Sequence, residues 1–179
     1  IAAGAYNSIY YDNIGTYRVS VTQTGSADDY TATTSTSGSV TVGGSATGSI
    51  EIAGDQDWFA VSLTAGNIYH INLEGSPTSA GSLADPYLRG LYNASGTLIS
   101  GTTDDDSGTS RNAQLSYTAT TTGTHYIAAG AYSNNYYGDI GSYTLSIRQI
   151  GTTDDYLNNT YTTGKISIGE SISGNIEIE

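Results

Sequence analysis

Carboxylates are the side chains in this sequence best placed to do chemistry. Asp104, Asp105 and Asp106 are consecutive, with Asn112 nearby. Three adjacent carboxylates repel one another unless water or a cation neutralises them. Calcium takes six to eight oxygen ligands from carboxylates, carbonyls and water, so this run suits it. Asp55 and Asp57 lie two apart just before an apolar run. Alternate residues share a side in extended chain, so both can face one loop site, which Asp85 can join or leave for a turn before Pro86. Asp28-Asp29 and Asp154-Asp155 form two further pairs. A cation at those pairs would stiffen a junction between units. These ten aspartates are the candidate calcium ligands. Their spacing matches neither the EF-hand loop nor the nonapeptide calcium repeats. The competing reading is a set of solvated acidic turns, since Asp commonly bonds its own backbone.

Catalytic chemistry has little to build on. His70 and His125 both fall in extended segments, and no Gly-x-Ser-x-Gly elbow accompanies them. The sequence therefore reads as a non-enzyme. Tyr10, Tyr11, Tyr136 and Tyr137 lie in Tyr-rich loops with Asn and Ser, a composition suited to binding a polysaccharide or a protein surface. The same rings can instead pack their own loop. Asn93 and Asn158 open glycosylation sequons.

Composition narrows the classes. The chain has 179 residues, with 17 Asp and Glu against 5 Lys and Arg, for a formal net charge of -12. Cys is absent, so no disulfide or thiolate site forms. The five cations are scattered, which argues against nucleic acid. No run approaches the length of a membrane helix, so membrane insertion is not expected. Abundant Tyr, Thr, Val and Ile with only 12% charge argue for order rather than disorder. Low Lys with surplus Asp suits a secreted, extracellular or cell-surface protein. The chain starts at Ile1, as a processed piece or a window of a longer chain would.

A long repeat organises the elements. Ile1 to Tyr6 and Ile127 to Tyr132 are the same hexapeptide, an offset of 127 − 1 = 126. The offset holds without a gap: Gly15 matches Gly141, Asp28-Asp29-Tyr30 matches Asp154-Asp155-Tyr156, and Gly38, Gly43 and Gly48 match Gly164, Gly169 and Gly174. About half of the 53 paired positions are identical. We divide the chain into 1–25, the last strands of a preceding unit; 26–151, one complete unit; and 152–179, the first strands of a following unit. Gly25 to Ser37 reads as a linker or long loop.

The unit is predicted to be built from short strands, because apolar and polar residues alternate and no segment keeps a helical period. Candidates are Arg18 to Thr22, Ser39 to Val42, Ser49 to Ile52, Trp58 to Leu63, Ile68 to Leu73, Tyr87 to Tyr92, Ala113 to Thr118, His125 to Ala131 and Tyr143 to Arg148. Eight or nine strands in a 126-residue unit predict an all-β antiparallel β-sandwich or jelly roll. Trp58 and Phe59 are adjacent and must face opposite sides, so one anchors the core and the other lies nearer the surface.

An ordered set of motifs runs through the unit: Gly54-Asp55-Gln56-Asp57-Trp58-Phe59, Leu63-Thr64-Ala65-Gly66, Ala84-Asp85-Pro86-Tyr87-Leu88, Leu91 to Gly96, Asp104 to Gly108, Gly123 to Ala128 and Gly141 to Leu145. Over roughly residues 40–150 this order resembles the bacterial pre-peptidase C-terminal domain family. The resemblance implies a jelly-roll-like β-sandwich, usually a non-catalytic appendage of secreted bacterial proteins. Similar modules of clostridial collagenases bind substrate and calcium, but calcium is not universal in the family. The reading that follows is a structural or adhesive repeat of a secreted protein, calcium-stabilised and able to form a fibre by strand exchange with neighbouring repeats. The alternative is a substrate-targeting domain of an exported protease or other hydrolase.

Overall fold

The computed structural model describes residues 2–3, 15–22, 27–132, 140–153 and 160–174. Among the described residues seven strands form the sandwich: β1 (Ser45–Ile50), β2 (Gln56–Leu63), β3 (Asn67–Glu74), β4 (Pro86–Tyr92), β5 (Ala113–Thr118), β6 (Gly123–Ala131) and β7 (Gly141–Thr152). One sheet has the order β1-β7-β3-β5 and the other β2-β6-β4. Every pairing between these strands is antiparallel. Odd-numbered strands fill one sheet and even-numbered strands the other, so each strand crosses to the opposite sheet. That wrapping is jelly-roll-like, with seven strands among the described residues where eight or nine were expected.

The alternation written in the sequence becomes the layering. Tyr69, Ile71 and Leu73 of β3 and Tyr143, Leu145 and Ile147 of β7 point inward from the four-stranded sheet. They meet Phe59, Val61 and Leu63 of β2, Leu88 and Leu91 of β4, and Ile127 and Ala129 of β6. Each such aliphatic or aromatic side chain contributes about 1.5–3 kcal/mol when fully removed from water. The loop Ile99 to Asp104 covers the β4 edge, with Leu88 and Asp104 exchanging backbone hydrogen bonds.

Six of the expected strands are present, and three are not as read. Ser49 to Ile52 was set too late, since β1 runs from Ser45 to Ile50 and ends in a turn closed by Asp55 N donating to Ile52 O. Ser39 to Val42 makes one parallel bridge, Ser39 with Ala60, before turning to the other sheet. Arg18 to Thr22 forms no strand and is exposed, although its copy in the repeat is the central strand β7.

The expected linker is also more than a loop. Residues 27–44 run as a strap beside β2, the edge strand of the three-stranded sheet, where Ser39 bridges Ala60, and reach that sheet's outer face at Thr34. Tyr126 Oη donates to Thr34 O, and Thr36 Oγ1 donates to Trp58 O. Tyr30 packs on Phe59, ring centroids 4.8 Å apart. Phe59 is the core anchor, at 0% exposure. Trp58 does face the other side, but it is only 7% exposed, in an outer cluster with Tyr92, Tyr126 and Ala128 beneath the strap. The alternation was legible; the cover was not.

Candidate metal centre

The strap, the end of β1 and the start of β2 converge on one group of carboxylates. Asp28 comes from the strap, and its Oδ1 accepts from Tyr30 N. Asp29 ties the strap to β1, its Oδ2 accepting from Ser49 N at 3.0 Å. Glu51 follows β1. Asp55 ends the β1–β2 turn, its Oδ1 accepting from Gln56 N. Asp57 lies on β2, fully buried, and its Oδ2 accepts from Tyr143 Oη of β7 at 2.5 Å.

These residues offer two triads of ligand oxygens, each within 4.8 Å: Asp28, Asp29 and Glu51, and Asp28, Asp55 and Asp57. Asp57 Oδ1, Asp55 Oδ2 and Glu51 Oε2 are buried without a hydrogen-bond partner. An ionised carboxylate oxygen left so is costly unless it gains a proton or a cation. The titration shifts say the same. Burial, reinforced by the charges of Asp29, Asp55 and Glu51, pushes Asp57 up to about 8 against the Tyr143 hydrogen bond. Burial, then Asp55 and Asp29, pushes Glu51 up to about 7. Burial also raises Asp29, with Asp28 and Asp55 adding repulsion. Tyr143 is held protonated by burial and by the Asp57 carboxylate. Gly48 makes room for the Asp57–Tyr143 contact: a Cβ there would lie 2.3 Å from Tyr143 Oη and 3.2 Å from Asp57 Oδ2.

The remaining candidates separate. Asp85 does not join Asp55 and Asp57 but lies with Asp105 and Asp106, ligand oxygens within 4.8 Å. This group has cations at hand. Arg111 Nη1 is 3.6 Å from Asp85 Oδ2, and Arg89 offsets part of the rise that burial imposes on Asp105. Asp104 turns away, its Oδ2 accepting from Gln114 N and Ser107 N. Asn112 is buried and committed elsewhere, accepting from Gly75 N and donating to Thr78 Oγ1. Asp154, Asp155, Tyr10, Tyr11, Tyr136 and Tyr137 lie outside the described residues. His70 Nδ1 is 2.8 Å from Arg148 Nη2 on the exposed face, while His125 is buried against Gly123 O and Thr121 Oγ1. The Asn93 side chain closes a turn, accepting from Ser95 N and Thr97 N.

Glu51 escaped the sequence reading because its neighbours alternate like a strand. Its recurrence as Glu177 beside the recurring Asp pairs was the available signal.

Comparison with known proteins bears on the same stretch. Residues 55–131, from Asp55 to the end of β6, match the model of the bacterial pre-peptidase C-terminal domain. The match places residues 55–131, rather than the whole chain, with the pre-peptidase C-terminal domain family. Among solved structures, the pre-peptidase C-terminal domain of collagenase from Bacillus anthracis is 17% identical, with a TM-score of 0.44, over 62% of this chain and 93% of that one. Aeromonas hydrophila PliG, a periplasmic inhibitor of g-type lysozyme, is 15% identical, with a TM-score of 0.37, over 58% of this chain and 84% of that one. Likenesses of this size transfer no function. The comparison with curated proteins found no match. Among the described residues no helix is long and apolar enough to cross a membrane.

Proposed function

We propose that this pre-peptidase C-terminal domain is a non-catalytic structural repeat of a secreted protein, stabilised by calcium where the strap meets the sandwich. One observation carries the calcium reading. Asp57 is fully buried with its Oδ1 unpartnered, and it belongs to a carboxylate triad. A hard cation with oxygen ligands is the partner such a group lacks, and Asp28, Asp29, Glu51, Asp55 and Asp57 would hold it. Binding would lock strap, β1 and β2 together.

The repeat reading has support of its own. The second head, residues 160–174, keeps the local turns of the first while exposed. Gly164 N donates to Thr162 Oγ1, as Gly38 N does to Thr36 Oγ1. Glu170 N donates to Ser167 O, as Gly44 N does to Thr41 O. Gly169 has φ +90°, and Gly43 has +87°. Tandem units suit an array in a secreted or cell-surface protein better than a single targeting appendage, for which a catalytic domain in the parent chain would speak.

Thermal melting with and without chelator tests the calcium reading. Removing calcium is expected to lower Tm by several degrees, because a ligand that binds only the folded state stabilises it. Identical melting curves would overturn it.

A further inference from the structure

The two ends of the sandwich differ in charge. The antiparallel register puts the starts of β2, β4, β5 and β7 and the ends of β1, β3 and β6 together. The short turns from β1 to β2 and from β2 to β3 align the two sheets. Both carboxylate groups described above lie at that one end. At the other end the chain is residues 41–44, 64–66, 93–98 and 119–122, and none of these is Asp, Glu, Lys or Arg. In a chain of net charge -12, that end is uncharged.

Apolar exposure follows the same division. Among the described residues of the sandwich, the large exposed apolar side chains are Val42, Leu98 and Ile150 at the uncharged end and Ile52, Tyr132 and Ile140 at the acidic end. The long sides carry none of them. Apolar groups left exposed together mark a contact surface.

The path of the chain fixes what meets those ends. It enters the unit at the acidic end, where Asp29 Oδ2 accepts from Ser49 N. It leaves at the uncharged end, where Thr153 N donates to Gly66 O at 2.7 Å. The next residues are Asp154 and Asp155, the copies of Asp28 and Asp29. Two residues of extended chain span at most about 7 Å. A following unit, entered at Asp154 and Asp155 as this one is at Asp28 and Asp29, would therefore have its acidic end against the uncharged end before it. The same order stands earlier in the chain, where residues 1–25 repeat the tail 127–151 and lead into Asp28 and Asp29.

We propose that successive units stack end to end, the uncharged end of one seated on the acidic end of the next, in a stiff polar rod. This rests on the repeat reading above and gives it an interface and a direction. The occupant of each end is the neighbouring unit of the same chain. Val42 recurs as Ile168 and Ile52 as Ile178, so both ends keep apolar groups in the next copy. Two acidic ends repel each other, whereas the uncharged end sets no charge against the carboxylates, so the contact runs head to tail. With no spare linker, the contact holds neighbouring units at one angle, where a flexible linker would let them swing.

The chain extended after Glu179 by a copy of residues 54–151 holds two whole units, since 179 − 126 = 53. It has no Cys, so Ser116→Cys and Lys165→Cys place one spin label on each unit, both at exposed positions. Pulsed electron-spin distance measurement is expected to give one narrow distribution. Val42→Asp with Ile150→Asp on the first unit should broaden it at least about twofold, as should a Gly-Ser spacer of about six residues after Thr153. Melting of the same samples shows whether both units fold. A broad distribution with both units folded overturns the stacking and leaves the repeat reading standing. A narrow distribution that neither change broadens overturns the proposed contact. A second unit that does not fold removes the repeat reading and the stacking together.

Discussion

Replacing Asp57 by Asn should raise stability without calcium and lower it with calcium. Asp57 is fully buried, and its titration is pushed from an ordinary 3.8 to about 8. In the absence of a cation the fold keeps a proton that the unfolded chain has released above about pH 4. The contribution is complete below the unfolded value and is lost as pH rises to the folded value, at about 1.4 kcal/mol per pH unit. Asp57 alone thus removes up to about 4 kcal/mol between pH 5 and pH 8. For a unit of this size that is a fall in Tm of about 15 °C. Glu51, pushed to about 7, steepens the slope in the same direction. Asn cannot ionise. Its oxygen can still accept from Tyr143, and its N–H groups can face the neighbouring carboxylates. Melting by circular dichroism in chelator should therefore show Asp57→Asn above the native chain at pH 8, with a shallower pH dependence. Calcium reverses the order. At about 10 mM calcium and a Kd of about 0.1–1 mM, common for extracellular sites, the native chain gains about 1.4–2.7 kcal/mol. The variant should gain less than half of that. A native apo Tm that stays flat from pH 5 to pH 8 would refute the buried-proton argument. A variant that gains as much from calcium as the native chain would refute Asp57 as a ligand.

Two further outcomes follow from the packing. Gly38→Val forces a side chain onto the Trp58 carbonyl and should lift the strap. Trp58 is the single tryptophan, so its emission should shift to the red, and an unshifted spectrum would show that the strap does not seal it. Asn112→Leu leaves Gly75 N without its buried acceptor and should cost about 1–3 kcal/mol in urea denaturation, with the calcium response intact.

Much of the fold was legible from periodicity, because a strand with one buried face must alternate. Tyr69, Ile71 and Leu73, or Tyr143, Leu145 and Ile147, can point inward together only in extended chain. Five of the six strands so marked were read to within two residues of their limits, while β7, read as Tyr143 to Arg148, runs on to Thr152. The failures came where partners rather than pattern decide. Ser39 to Val42 alternates as well as any strand, but it serves as the turning point between the two sheets. Arg18 to Thr22 has the alternation of β7 but is exposed and forms no strand, so alternation alone does not make one.

By itself the sequence determined the strand pattern, the 126-residue offset, and the absence of thiol chemistry. These follow from side-chain types and local spacing. Only the tertiary structure decided which carboxylates meet. Asp28 and Asp29 were read as a junction pair and Asp55 and Asp57 as a separate loop, and the strap folds the first pair onto the second, with Glu51 beside them. Asp104 was read together with Asp105 and Asp106, yet its side chain is spent on Gln114 and Ser107. The physical reason is that a cation site is made of oxygens converging from distant parts of the chain. Long-range packing sets that convergence, here through a strap held by Trp58, Tyr126 and Ser49, and no local period records it.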